Sequence, residues 1–209
     1  MHGFYPTLLQ KCSFDEISVL INDALKAGAD ADFGYDYIKD FEKRFEFSGR
    51  DTITTGWEKL DEITGGGGGR GELGVVIAPT GVGKSMVLVH LGATALKAGM
   101  TVVHYTLELR DRVIASRYDS CITGIRLDDL MDNKVEIQEA LKEIDGTLIV
   151  KEYPTKTATT NTIRAHLEKL KQQGIVPDMI IVDYADLLRT LSSRKEKREE
   201  LETIYEDLR

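Results

Sequence analysis

The chain has 209 residues, 42% hydrophobic and 30% charged, with a formal net charge of −8. That size and balance suit one α/β domain with its own core and a small appendage. They exclude a nucleic-acid coat formed by the whole surface, which would have to be basic; any contact with DNA or RNA must come from a local basic cluster.

In chain order, the first expected element is an amphipathic helix. Ser13 and Glu16 have capping-box spacing, Ile17, Leu20, Ile21 and Leu25 share one helical face, and Gly28 can end the helix. A polar segment with little periodicity follows to Arg50, so residues 1–50 read as a helical arm or linker. The domain proper is expected over residues 51–209. "TTGWEKLDEIT" predicts a turn and a short helix, and the glycine run 65–71 a flexible turn feeding an apolar strand, "LGVVI", at 73–77. Next comes a helix at 85–99 that is apolar nearly all round and stopped by Gly99. A β-branched strand is expected over 101–108, helical stretches over 110–124 and 126–145, and a third strand over 147–153. A helix capped near Thr160 or Asn161 and ending at Gly174, a strand at 179–183, and a last helix from residue 193 onward complete the pattern. Strands alternating with helices at this spacing imply a mostly parallel sheet with helices on its faces. No apolar run approaches the length of a membrane span, and the N-terminus lacks the basic head and long apolar stretch of a secretory signal, so a cytosolic location is expected. Cys12 and Cys121 form no CxxC pair, so they read as reduced structural thiols.

The chemistry concentrates in "APTGVGKS", Ala78, Pro79, Thr80, Gly81, Val82, Gly83, Lys84 and Ser85, set between an expected strand and an expected helix. This is the phosphate-loop pattern, with Ala78 in place of the usual first glycine. A nucleoside triphosphate needs main-chain N–H groups that all point inward, and small residues with permissive dihedrals supply them. The helix that follows adds its positive end, Lys84 reaches the β- and γ-phosphates, and the Ser85 hydroxyl binds Mg²⁺. A second acid for the Mg²⁺ shell is expected at the end of an apolar strand, and "MIIVD" supplies Asp183. Hydrolysis needs a group that orients or deprotonates water; Glu108, at the C-terminal end of the expected strand 101–108, is the candidate. Gly66, Gly68 and Gly71 formally satisfy G-x-G-x-x-G, but they precede the strand instead of following it, so a dinucleotide fingerprint is rejected. His104, inside a strand, reads as a packed, hydrogen-bonded residue without a role.

"TTGWEKLDEITGGG…GELGVVIAPTGVGKS", "VVHYTLEL" and "PDMIIVDYADLL" together resemble the RecA-like ATPase domain of DnaB-type replicative helicases, the phage versions most of all, from about Asp51 to the C-terminus. The resemblance implies a P-loop NTPase fold with ATP and Mg²⁺ as cofactors, Lys84 and Ser85 on phosphate and magnesium, Glu108 as catalytic glutamate and Asp183 as the second-motif acid. It implies a motor that hydrolyses ATP to move on single-stranded DNA, built as a hexameric ring of identical subunits in the cytoplasm of a bacterial host, with a primase or helicase loader as a further partner. The region after Asp183 resembles one that carries a DNA-facing loop. Arg189, Arg194, Lys195, Lys197 and Arg198 are the densest basic cluster of the chain there, and they read equally as a strand-tracking patch and as a solvated helix start laced with Glu196, Glu199 and Glu200. The family continues with another strand, a γ-phosphate-sensing glutamine and an arginine finger, none found before Arg209, so the sequence reads as a fragment with weak activity of its own. Two other functions use the same site: a RecA-, RadA- or KaiC-like ATPase coupled to filament or ring assembly without unwinding, and a non-catalytic nucleotide-dependent oligomerisation module.

Overall fold

The computed structural model describes residues 34–45, 50–190 and 197–209, and the chain divides into two units, Met1–Gly49 and Arg50–Arg209. The helix expected between Ser13 and Gly28 lies outside the described residues. In the first unit, residues 34–45 form consecutive turns ending in a 3₁₀ segment, Glu42–Arg44. Ion pairs Asp36–Lys39 (3.2 Å) and Asp40–Lys43 (2.6 Å) span single turns, and the Phe41 and Phe45 rings lie 5.1 Å apart.

The second unit opens with a two-stranded ribbon that sequence patterning had as a glycine turn. Strand β1 (Thr52–Ile53) pairs antiparallel with β2 (Gly68–Gly69). Glycine-rich stretches make poor strands by propensity, but here close approach demands them: a Cβ on Gly67 would lie 2.0 Å from the Ile53 carbonyl oxygen. Between the two strands runs α1 (Glu58–Thr64), closed by Gly65 in the left-handed region. The Asp61 carboxylate gathers this lead-in by accepting from Thr55 N (2.8 Å) and Thr55 Oγ1 (2.6 Å). Trp57 stacks on His90 at 4.1 Å, and His90 Nε2 lies 3.0 Å from the Thr55 carbonyl, which fastens the lead-in to the next helix.

That helix, α2 (Lys84–Lys97), ends at Ala98–Gly99 and turns directly into β3 (Thr101–Thr106). There follow α3 (Asp111–Thr123), a 3₁₀ turn (Leu127–Asp129), α4 (Lys134–Lys142), β4 (Thr147–Glu152), α5 (Thr160–Gln172), β5 (Met179–Asp183) and α6 (Lys197–Leu208). The α5 cap is Thr159, one residue before the expected position, with a reciprocal capping box to Thr162. The three main strands form a parallel sheet in the order β4-β3-β5, with Thr106 opposite Asp183 and His104 opposite Ile181. Alternation along β3 divides its side chains between two cores. Val102 and Ile181 meet Val89, Ala93 and Leu96 of α2 and Ile114 and Tyr118 of α3. Val103 and Tyr105 meet Ile163 and Leu170 of α5 and Ile204 of α6 on the other face.

One expected strand is corrected. Residues 73–77 have no regular secondary structure and belong to no sheet, and Ile77 is 89% exposed. An apolar β-branched run becomes a strand only where a neighbour offers a hydrogen-bonded ladder and a packing face. Among the described residues no strand lies alongside it. The expected strand 101–108 also stops two residues early, at Thr106.

Candidate functional site

Helix α2 doubles back on β3 through a single tight turn, so the two run antiparallel. Fourteen helical residues span about 21 Å and six strand residues about 20 Å, so the N-terminus of α2 comes level with the C-terminal ends of β3 and β5. In a parallel sheet this edge is where ligands are met. Three of the sequence-predicted features arrive there on different elements: the loop 78–85 on α2, Glu108 after β3, and Asp183 at the end of β5.

The loop turns through Gly81 (φ +83°) and Gly83 (φ +99°), and Gly83 caps α2 while its carbonyl accepts from Met86 N and Val87 N. Both glycines lie in the left-handed region that residues with a side chain rarely adopt. Nothing stands within 4 Å of a Cβ built on either, so glycine is required by backbone conformation and not by crowding. The Lys84 ammonium is held over the loop by donation to the carbonyls of Ala78 (2.9 Å) and Pro79 (3.1 Å). Ser85, half-buried, lies in the first turn of α2, where N–H groups have no intrahelical acceptor. A positive helix end, a lysine and a hydroxyl thus share one short curve of chain.

Asp183 is 2% exposed, and its main-chain carbonyl accepts from Leu107 N at 2.8 Å. Ladder alternation puts its side chain with Ile181, on the sheet face that α2 covers. Its Oδ2 is buried without a hydrogen-bond partner, and a buried carboxylate oxygen in that condition is costly unless a cation or donor meets it. Glu108 is exposed, on a turn made when Thr106 Oγ1 donates to Leu109 O (2.7 Å) and accepts from Leu109 N (3.2 Å). It therefore stands on a loop just past β3 and not in the strand. Among the described residues no three His, Cys, Asp or Glu side chains gather as a metal cage.

The basic cluster is only partly placed. Arg189 is exposed, its N–H bound to the Ala158 carbonyl at 2.8 Å, and Lys197 and Arg198 are exposed at the start of α6 beside Glu199 and Glu200. Arg194 and Lys195 lie outside the described residues.

A model of the family described as the DnaB-like helicase C terminal domain matches residues 52–209. The chain belongs to this family. It is 32% identical over 186 residues to the DnaB-like replicative helicase of Enterobacteria phage T4, a match covering 84% of the chain and 39% of that protein. It is 27% identical over 162 residues to the replicative DNA helicase DnaB of Helicobacter pylori, covering 75% of the chain and 33% of the relative. The chain thus spans about a third to two-fifths of the length of these curated relatives. Two solved structures share its fold at 15% identity. One is a DnaB-like replicative helicase described with its interactions with primase (TM-score 0.67, 92% of this chain, 48% of that one). The other is described as an ATPase domain (TM-score 0.59, 94% of this chain, 65% of that one). The expected α/β, RecA-like class is therefore the class of this DnaB-like domain. Among the described residues no helix is long and apolar enough to cross a membrane.

The reading of His104 as a packed, hydrogen-bonded strand residue holds, while its partner Tyr118 and the facing Gly92 were not anticipated. His104 is fully buried with its Nδ1 2.9 Å from the Tyr118 hydroxyl, and Gly92 of α2 faces that same hydroxyl. A histidine in the middle of an otherwise apolar strand was the visible signal; its partner on α3 was not.

Proposed function

We propose that this DnaB-like domain binds ATP with Mg²⁺ at the 78–85 loop and hydrolyses it to drive movement along single-stranded DNA, as one subunit of a ring of identical chains in the host cytoplasm. What supports the reading is that α2 opens with Lys84 and Ser85 and is about as long as β3, and that β5 ends in a buried Asp183 whose Oδ2 has no protein partner.

In this reading the main-chain N–H groups of Gly81, Gly83 and Lys84 receive the phosphates, and the Lys84 ammonium exchanges its two carbonyl acceptors for β- and γ-phosphate oxygens. Ser85 Oγ and Asp183 fit a hard, oxygen-seeking cation, since one is a neutral oxygen ligand and the other a buried acceptor in need of positive charge. When bound, Mg²⁺ supplies neutralisation of the charge that builds on the β- and γ-oxygens. Glu108, free of the strand and reachable by solvent, orients the attacking water and accepts its proton. Arg189, Arg194, Lys195, Lys197 and Arg198 follow the phosphates of single-stranded DNA, and a primase or loader contacts the assembled ring; the names of the T4 relative and the primase-described neighbour support the helicase role and the primase contact.

The test is steady-state ATP turnover and forked-duplex unwinding by the full-length gene product, with Glu108→Gln and Lys84→Ala. Both variants are expected to lose turnover, Glu108→Gln while keeping nucleotide affinity. Turnover without unwinding in the unsubstituted protein would replace the motor with an ATPase that drives assembly.

A further inference from the structure

Two buried side-chain polar atoms among the described residues have no hydrogen-bond partner: His104 Nε2 and Asp183 Oδ2. Both residues are nine-tenths buried or more, on adjacent strands. His104 stands opposite Ile181 and Thr106 opposite Asp183, so the two are diagonal neighbours on the face covered by α2 and α3.

Their chemistries are complementary. Burial drives the His104 pKa down to about 4, so the ring is neutral and carries one N–H. Burial also raises the Tyr118 phenol, which keeps its proton. If Tyr118 O–H donates to Nδ1, across their 2.9 Å, the ring proton sits on Nε2. The opposite tautomer would leave a buried phenol O–H without an acceptor and turn a bare Nε2 lone pair toward a carboxylate. The first arrangement leaves one unmatched donor and one unmatched acceptor on the same sheet face. Gly92 completes the device: a Cβ there would lie 2.1 Å from Tyr118 Oη, so only glycine lets the hydroxyl pass under α2 to the imidazole.

We propose that His104 is a positioning residue for Asp183: its Nε2–H reaches Asp183 Oδ2 through one bridging water, and Tyr118, admitted by Gly92, sets the tautomer. The link orients the carboxylate, leaving its remaining lone pairs for the cation. It rests on the proposed Mg²⁺ role of Asp183 only for its consequence, not for its existence. Supporting residues of this kind hold metal ligands in place, and losing one costs about 10-fold in metal affinity.

The experiment has two arms on the 209-residue chain. Without nucleotide, long-range ¹H–¹⁵N NMR of labelled histidine reads the tautomer. The expected result is a proton on Nε2, an Nε2 resonance that moves in both Asp183→Asn and Asp183→Ala, and an Nδ1 resonance that moves in Tyr118→Phe. An Nδ1–H tautomer, or an Nε2 resonance identical in the parent and both Asp183 variants, overturns the link. Calorimetry of ADP with and without Mg²⁺ then reads the consequence. His104→Phe is expected to lose about 10-fold of the Mg²⁺-dependent part, with Mg²⁺-free ADP affinity unchanged, and His104→Gln to recover it. Parent-like Mg²⁺ dependence in His104→Phe overturns the positioning role. If the parent shows no Mg²⁺ dependence while the NMR pattern holds, the link stands and the magnesium reading of Asp183 falls.

Discussion

Gly92→Ala is the substitution for which intrinsic propensity and packing disagree most sharply. In the interior of α2, alanine should stabilise by about 1 kcal/mol relative to glycine. The new methyl, however, would lie 2.1 Å from Tyr118 Oη, 3.0 Å from Tyr118 Cζ and 3.0 Å from Ile181 Cδ1. Tyr118 cannot swing away like a flexible chain end; its ring is rigid, 2% exposed and bonded to His104. Relief needs α2 and α3 to separate or the tyrosine to leave its partner. Overpacking of that kind costs about 1–3 kcal/mol, and loss of a buried hydrogen bond about 1 kcal/mol. Set against the propensity gain, the net is a destabilisation of about 2 kcal/mol, or roughly 4–8 °C in Tm for a chain of this size. The assay is urea and thermal unfolding of Gly92→Ala, Tyr118→Phe and the double variant. Because phenylalanine removes the atom in collision, the glycine substitution should cost at least about 1 kcal/mol less in the Tyr118→Phe background. An unchanged or higher Tm for Gly92→Ala, or strict additivity in the double variant, would refute this account of the α2–α3 contact.

Gly81→Ala and Gly83→Ala meet no atoms, so thermal unfolding should show only the backbone cost of a left-handed alanine, about 1 kcal/mol each, while nucleotide affinity falls further than stability does. The depressed pKa of His104 makes stability depend on pH with a definite sign: the unfolded chain takes up the proton near 6.5 and the folded one only near 4, so stability falls as pH drops between those values. The loss approaches about 3 kcal/mol once both states are protonated, and His104→Phe should flatten urea midpoints across that window. Arg189→Ala should weaken single-stranded DNA binding for all sequences alike and lower the slope of log K against log salt by about 0.7, the value for one phosphate contact to a single strand. An unaltered slope would remove Arg189 from the interface.

The parts of the fold that were legible in the sequence are those whose signal is local. The start of α5 to within a residue, Gly99 after α2, and the buried faces of β3 and β5 each carry their pattern locally. The loop 78–85 was legible because phosphate binding imposes glycine, lysine and hydroxyl at fixed offsets. What was not legible is set by partners distant in sequence. Residues 73–77 look like a strand, yet strandedness needs a neighbour that composition cannot supply. Gly68 and Gly69 look like a loop, yet they pair with Thr52 and Ile53, and the adjoining Gly67 must be bare because a Cβ there would strike the Ile53 carbonyl. His104 could be read as packed, but its tie to Tyr118, fourteen residues on, depends on how α3 crosses the sheet. Glu108 was placed in the strand because "TVVHYTLE" is rich in β-branched and apolar residues nearly to its end, whereas Thr106 ends β3 by bonding to Leu109.

The central claim is that the curve from Ala78 to Ser85 gathers polyphosphate charge with main-chain amides and the Lys84 ammonium. Calorimetric titration of Mg·ATP into the 209-residue chain and its Lys84→Ala variant tests it most directly. Loss of charge-assisted bonds to two phosphates is worth about 3 kcal/mol, so the variant should bind about 100-fold more weakly, with an unfolding profile like the parent's. Equal affinity in the two proteins would contradict the account.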